Sequence, residues 1–270
     1  MQEPNSNPKQ GENQYASAAN LNARIALHQQ YSTNKLGWYP WLFSQLEGIP
    51  ANAHVLELGC GQGNFWKANI ERIPPGWVVT LSDLSEGMLM EAWRNLVTSP
   101  RSFKYKPADA CALPFADASY DLVLANHMLY AVEDASKAIS EIRRVLKPGG
   151  TLMAATNGAG HMQEILHSVS KIEPGALENP ASLFFRNLPF TLENGAEQLA
   201  PVFSSIARVE YEDSIEVDQV QPVMDYILSG IDNSLVTPEA IQAATAALQA
   251  ELDQNGKIRI SKKSGCFLCK

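Results

Sequence analysis

The sequence is short of four things, and each shortage closes off a class of protein. Four cysteines in 270 residues are too few for the disulfide frameworks that staple small secreted folds. No run approaches the roughly 20 consecutive apolar residues that a membrane-spanning helix needs. Cations are scarce as well: 21 Lys and Arg stand against 29 Asp and Glu, a formal charge of −8, and the densest basic group is Lys262-Lys263. A nucleic-acid surface needs clustered cations. The opening MQEPNSNPKQGENQYASAAN lacks the apolar stretch of a secretory signal, and residues 1–20 read as a flexible polar tail. These shortages predict a cytoplasmic protein that engages neither nucleic acid nor membrane. Cys266 and Cys269 form a terminal CxxC without the second pair a zinc site requires, so the pair reads as the end of a strand and no metal is expected.

What is present is enough apolar material, 45% of the chain, for a substantial core. From Asn52 to Thr156, strand-like and helix-like segments alternate, the mark of an α/β parallel sheet. HVLEL (54–58) is a short buried strand. NFWKANIERI follows as a helix, stopped by Pro74-Pro75-Gly76. WVVTLSD (77–83) is a second strand, and Ser85 can cap the helix in which Met88, Leu89, Ala92, Trp93 and Leu96 recur at helical spacing. FKYKPAD (103–109) and YDLVLAN (120–126) are strands three and four. Asp134 caps the next helix, and Lys147-Pro148-Gly149-Gly150 turns it into a fifth strand, TLMAAT. Beyond that the rhythm changes. ARVEYEDSIEV (207–217) alternates as a strand, PVMDYILSGI and residues 238–253 read as helices, and KIRISKKSGCFLC closes the chain as a last strand. No linker divides residues 21–270, which read as one domain.

In such sheets ligands bind outside the carboxyl ends of the strands, where the strand order reverses. Four features fall there: the glycine turn after HVLEL, Asp83, Asp109 and Asn126. The turn reads GCGQG, so Gly59, Gly61 and Gly63 alternate. A dinucleotide fingerprint would place its third glycine one residue later, where this chain has Asn64, which argues against a nicotinamide oxidoreductase.

VLELGCGQG, LSDLSEGML, ADACALPFADASYDLVLANHMLYAVED and EIRRVLKPGGTL together resemble the class I S-adenosylmethionine-dependent methyltransferases. The likeness is to the small-molecule group that includes ubiquinone-biosynthesis enzymes, and it runs over about residues 22–270. It implies a Rossmann-like, mostly parallel seven-stranded sheet with helices on both faces. It also implies an N-terminal helical cap (21–50) and a substrate-side insertion after strand five (157–205). The implied cofactor is S-adenosyl-L-methionine, leaving as S-adenosyl-L-homocysteine, and the implied reaction is methyl transfer to a small acceptor such as a secondary metabolite. The alternative is a protein that binds this cofactor without methyl transfer.

The resemblance also assigns roles. Glu57 would lie near the amino-acid end of the cofactor, with the backbone of Gly59, Cys60, Gly61 and Asn64 close beside it. Asp83 would accept the ribose hydroxyls, Leu84 and Met88 would cover the adenosine, and Asp109 with Ala110 would meet the adenine edge. Asn126 and His127 would face the methionine portion. Members of the family often carry a histidine after the tyrosine of the N-H-M-L-Y stretch, whereas this chain has Ala131, so a base at that position is lost. His127 and Tyr31 are the candidate catalytic groups. Tyr31, Trp38, Tyr130, Phe184 and Phe185 are candidate acceptor contacts, suited to an apolar partner. The competing reading of these aromatics, and of Phe190, is that they fill core beneath a lid.

Overall fold

β1 (His54–Leu58) is buried at four of its five positions. It pairs in parallel with β2 (Val78–Ser82) on one edge and β4 (Tyr120–Asn126) on the other. A strand flanked on both edges and covered on both faces has no solvent side, so its apolar residues run together instead of alternating with polar ones. The computed structural model describes residues 18–178, 187–231 and 236–270. It places β1 third, next to the central β4, in a seven-stranded sheet of order β3 (Phe103–Tyr105), β2, β1, β4, β5 (Leu146–Asn157), β9 (Ser264–Cys269), β6 (Ile206–Tyr211). β3 and β5 continue the parallel pairing. β9 runs antiparallel between β5 and β6. The order reverses between β1 and β4, which puts the glycine turn at the switch point.

The chain forms two compact units. The sheet unit comprises residues 36–159, 189–211 and 264–270. Alternate residues of its strands feed two cores: Leu56, Leu58, Val123 and Phe267 in one, and Val55, Leu122, Leu124 and Cys266 in the other. α5 (Ala135–Val145) contributes Ala138, Ile139 and Ile142 to the first. α2 (Trp38–Ser44), α3 (Asn64–Ala68) and α4 (Glu86–Leu96) contribute Leu42, Trp66 and Leu89 to the second. The caps read from the sequence are present: Ser85 Oγ accepts from the Met88 amide, and an Asp134 carboxylate oxygen accepts from the Lys137 amide. α7 (Gly195–Leu199) also belongs to this unit.

The helical unit gathers the described parts of residues 1–35, 160–188 and 212–263. α1 (Ala18–Tyr31), α6 (Gln163–Ile172), α8 (Gln221–Leu228) and α9 (Pro238–Asn255) share a core with the antiparallel pair β7 (Ser214–Val217) and β8 (Ile258–Ser261). Leu27, Val169, Ile215, Ile227 and Ile260 are all essentially inaccessible there.

Several sequence expectations shift at these boundaries. The stretch 207–217 is two strands, β6 and β7, in different sheets, and KIRISKKSGCFLC is likewise divided into β8 and β9. Asp213 marks the first break. Its carboxylate accepts from the Ser32 hydroxyl, the Asn34 amide and the Lys262 ammonium. The helix expected over 64–73 stops at Ala68 and resumes as one 3-10 turn, Ile70–Arg72. The Asn69 amide donates to the carbonyls of Phe65 and Tyr39, and such side-chain bonds compete with helix continuation. The third strand covers only Phe103–Tyr105 of the expected 103–109. Unit boundaries at 35/36 and 188/189 cut through the stretches read as cap and insertion. Phe190, from the latter, is fully buried against Phe267 in the sheet unit's core.

Candidate functional site

The turn after β1 is built on left-handed backbone. Gly59, Gly61 and Gly63 have φ of 64°, 52° and 74°, values that side chains with a Cβ disfavour. Two of the three are fixed by packing as well: a Cβ at Gly59 would lie 2.8 Å from Met128 Cβ, and one at Gly63 2.9 Å from Leu96 Cδ1. At Gly61 a Cβ would meet nothing within 4 Å. Gly61 therefore turns its bare face to open space, where a ligand can approach the backbone. The Cys60 amide donates to the Ser82 carbonyl and the Gly61 amide to Asp83 Oδ2, 3.0 and 2.9 Å respectively, so the turn is tied to the end of β2. Asn64 is the first, half-buried residue of α3.

Asp83 holds two bonds at once, because its other oxygen, Oδ1, accepts from the Ser85 amide at 2.9 Å. Burial pushes its carboxyl above the ordinary value, against the pull of the Ser85, Gly61 and Leu84 amides. Next to it, Leu84 is 76% exposed, an unusual position for a large aliphatic side chain beside a polar turn, and Met88 is half-buried. Across the sheet edge, the exposed Asp109 accepts from the Cys111 amide at 2.8 Å, while Ala110 is buried.

Glu57 is the most perturbed acid among these residues. It is 2% exposed, and burial raises its carboxyl to about 7 despite hydrogen bonds from Asn126 and Trp66. The Trp66 indole N–H donates to Oε2, and the Asn126 amide Nδ2 donates to Oε1 at 3.0 Å. Trp66 carries no signal in the sequence for this role, since a tryptophan in a helix after a turn reads simply as core.

At the end of β4, His127 has φ 55°, a left-handed conformation that a non-glycine residue seldom adopts. Its amide still donates to the Ala155 carbonyl at 2.9 Å. The ring lies 5.3 Å from Trp38 and 6.2 Å from Tyr130, centroid to centroid. Trp38 in turn stacks on Trp41, and both meet Tyr211. The sequence suggested Trp38 and Tyr130; Tyr211, at the end of β6, joins them only through the fold. Tyr31 belongs to the helical unit and packs against its core. Phe184 and Phe185 lie outside the described residues. Among the described residues no group of His, Cys, Asp or Glu could hold a metal ion, and no helix is long and apolar enough to cross a membrane. Cys266 and Cys269 are buried free thiols in β9, pushed up to about 12 by burial.

The strand order with one antiparallel strand, and the glycine turn at its switch point, define the fold of the class I methyltransferases. Residues 56–154 match the family described as a methyltransferase domain. Over 155 residues it is 38% identical to a malonyl-[acyl-carrier protein] O-methyltransferase of Erwinia pyrifoliae, covering 56% of this chain and 53% of that protein. Over 103 residues it is 38% identical to a ubiquinone/menaquinone biosynthesis C-methyltransferase of Desulfotalea psychrophila, covering 38% of this chain and 41% of the relative. The chain thus spans about half the length of the curated relatives it matches. Phosphoethanolamine N-methyltransferase 2 of Haemonchus contortus, solved with S-adenosyl-L-methionine, superposes with a TM-score of 0.59 at 18% identity. That match covers 98% of this chain and 60% of the other.

Proposed function

We propose that the sheet unit binds S-adenosyl-L-methionine at the carboxyl ends of β1, β2 and β4, and that the protein transfers a methyl group to a small-molecule acceptor, in keeping with a secondary metabolite. The observation that carries this reading is the turn itself: Gly61 presents bare backbone to open space while its amide is locked to Asp83. The bound cofactor supplies an electrophilic methyl on a sulfonium centre. Everything else is positioning by the chain. Backbone at Gly59, Cys60 and Gly61, with Asn64, admits the ligand closely. Asp83 accepts the ribose hydroxyls, Leu84 and Met88 cover the adenosine, and Asp109 and Ala110 meet the adenine. Asn126, His127 and the nearby Glu57 set the polar surroundings of the methionine portion, and carboxylates suit a cation electrostatically.

For the acceptor, the half-buried Trp38 and Tyr130 rings beside His127 offer apolar area. His127 is the group available to take a proton from an acceptor that must lose one. Tyr31, Phe184 and Phe185 are the further acceptor-side candidates, and Tyr31 is the second candidate base. Much of the acceleration is alignment, worth up to ~7–11 kcal/mol for well-oriented reactants. The likeness to both an O- and a C-methyltransferase supports methyl transfer without choosing the accepting atom.

The test is calorimetric binding of S-adenosyl-L-homocysteine, followed by transfer of isotopically labelled methyl into a metabolite extract read by mass spectrometry. Binding and a labelled product are expected. Failure to bind overturns the reading; binding without transfer into any extract reduces it to a cofactor-binding protein.

A further inference from the structure

We propose a second binding site in the sheet unit: a cavity of about 220 Å³ at the amino ends of β2 and β3, suited to a small monocarboxylate with a ring-sized apolar body. It lies at the opposite end of β2 from the glycine turn and does not depend on the cofactor reading. Its floor is apolar and fixed by packing. Ile73, Trp77 and Val79 line it and are buried. The Trp77 indole N–H already donates to the Pro50 carbonyl at 2.8 Å, and its ring lies 5.8 Å from that of Phe43. Phe103, a half-buried wall, meets Trp66 edge-on.

Among the described lining residues one is charged, Arg101. Its Nε is buried without a hydrogen-bond partner, and no carboxylate among the described residues is paired with the guanidinium. A buried N–H left unmade costs free energy, more so on a charged group. The turn that carries the side chain is set by Ser99, whose Oγ accepts from the Arg101 amide at 3.3 Å and donates to the Arg101 carbonyl at 2.9 Å. Nε–H and the adjacent Nη–H form one edge of the guanidinium fork, which matches the two oxygens of a carboxylate. The lining decides the class. A dry cavity of about 150 Å³ is enough for benzene, so 220 Å³ has room for one ring and its acid group. A phosphate dianion would be only half neutralised by one cation, and a neutral hydrocarbon would leave Nε unpaired. Pro75, Pro100 and Ser102 are exposed at the mouth, so a small acid can enter the folded protein.

The experiment titrates the ¹⁵N-labelled full chain with benzoate and, separately, with benzamide, following the Trp77 indole N–H resonance, assigned with Trp77→Phe. Benzoate should shift that resonance saturably and bind about tenfold or more tightly than benzamide, the effect of hydrogen bonding to a charged group. Arg101→Gln should erase that preference while benzamide binds as before. No saturable shift with benzoate, equal wild-type affinity for the two probes, or a preference undiminished in Arg101→Gln overturns the site. Inorganic phosphate moving the resonance with the affinity of benzoate overturns the carboxylate class. The two-probe comparison on the wild type decides the matter even where the variant fails to fold.

Discussion

Glu57 in the sheet unit and Asp213 in the helical unit are both carboxylates withdrawn from water, and they are held in opposite ways. Asp213 has a side chain with no exposure, and the Lys262 side chain, 6% exposed, is bonded to it through its ammonium. Burial pushes its carboxyl up, but Lys262, Ser32 and the Asn34 amide outweigh that and hold it below its ordinary value. Glu57 has only neutral donors, an indole and an amide, and burial prevails. A buried charge with a cation and a full set of donors serves the fold. One held by neutral donors alone is carried at a cost, and such groups gather where a ligand completes the site. The acid of the helical unit ties Ser32 and Asn34 to Lys262 within that unit, whereas that of the sheet unit lies at the switch point.

That contrast can be broken most severely at Asp213. Replacing it by Ala removes the carboxylate shared by Lys262, Ser32 and the Asn34 amide and should cost about 3–5 kcal/mol of unfolding free energy, measured by denaturant titration. A loss below about 1 kcal/mol would mean that the pair does no more than a surface salt bridge.

The pH dependence of the two acids should differ in sign. Asp213, lowered from 3.8, contributes stability that is present above that value and is lost as pH falls through the folded one. Glu57, raised from 4.5 to about 7, binds its proton more tightly folded than unfolded. Its contribution is therefore full below about 4.5 and is lost as pH rises to about 7, on the order of 3 kcal/mol. Unfolding free energies of the wild type and Glu57→Gln at pH 5 and pH 8 check this. The difference between the two proteins should change by that amount, and a pH-independent difference would contradict a raised carboxyl.

Smaller effects sharpen the comparison on the ligand side. Asp83→Ala should weaken S-adenosyl-L-homocysteine binding by about 1.5–3 kcal/mol, and calorimetry on a folded variant giving unchanged affinity would remove Asp83 from the site. The smallest effect belongs to Leu84. Being 76% exposed, its truncation to Ala should change unfolding free energy by no more than about 0.5 kcal/mol. Ligand affinity should fall by about 1 kcal/mol as apolar cover is lost. Lost stability with retained affinity would make Leu84 an ordinary packing residue.

Most of the sheet unit was legible because its signals are local. A parallel strand covered on both faces is an apolar run, a left-handed turn calls for glycine, and a helix start shows as Ser85 or Asp134 ahead of an amphipathic segment. The candidate site was legible to the same extent, since Asp83, Asn126 and the turn all fall where strands end. The helical unit was not. Its three segments are separated by whole strands of the other unit, and an alternating stretch such as 207–217 looks the same whether it stays in one sheet or crosses between two.

By itself, then, the sequence determined which segments become strands and helices around β1 and that their carboxyl ends converge, because those outcomes follow from periodicity and backbone conformation. Only the tertiary structure decided that Trp66 and Asn126 each donate to one oxygen of Glu57, that Tyr211 joins Trp38 and Trp41, and that Asp213 finds Lys262. Hydrogen-bond partners 9, 69 and 49 residues apart are set by how elements pack, and no local pattern encodes them.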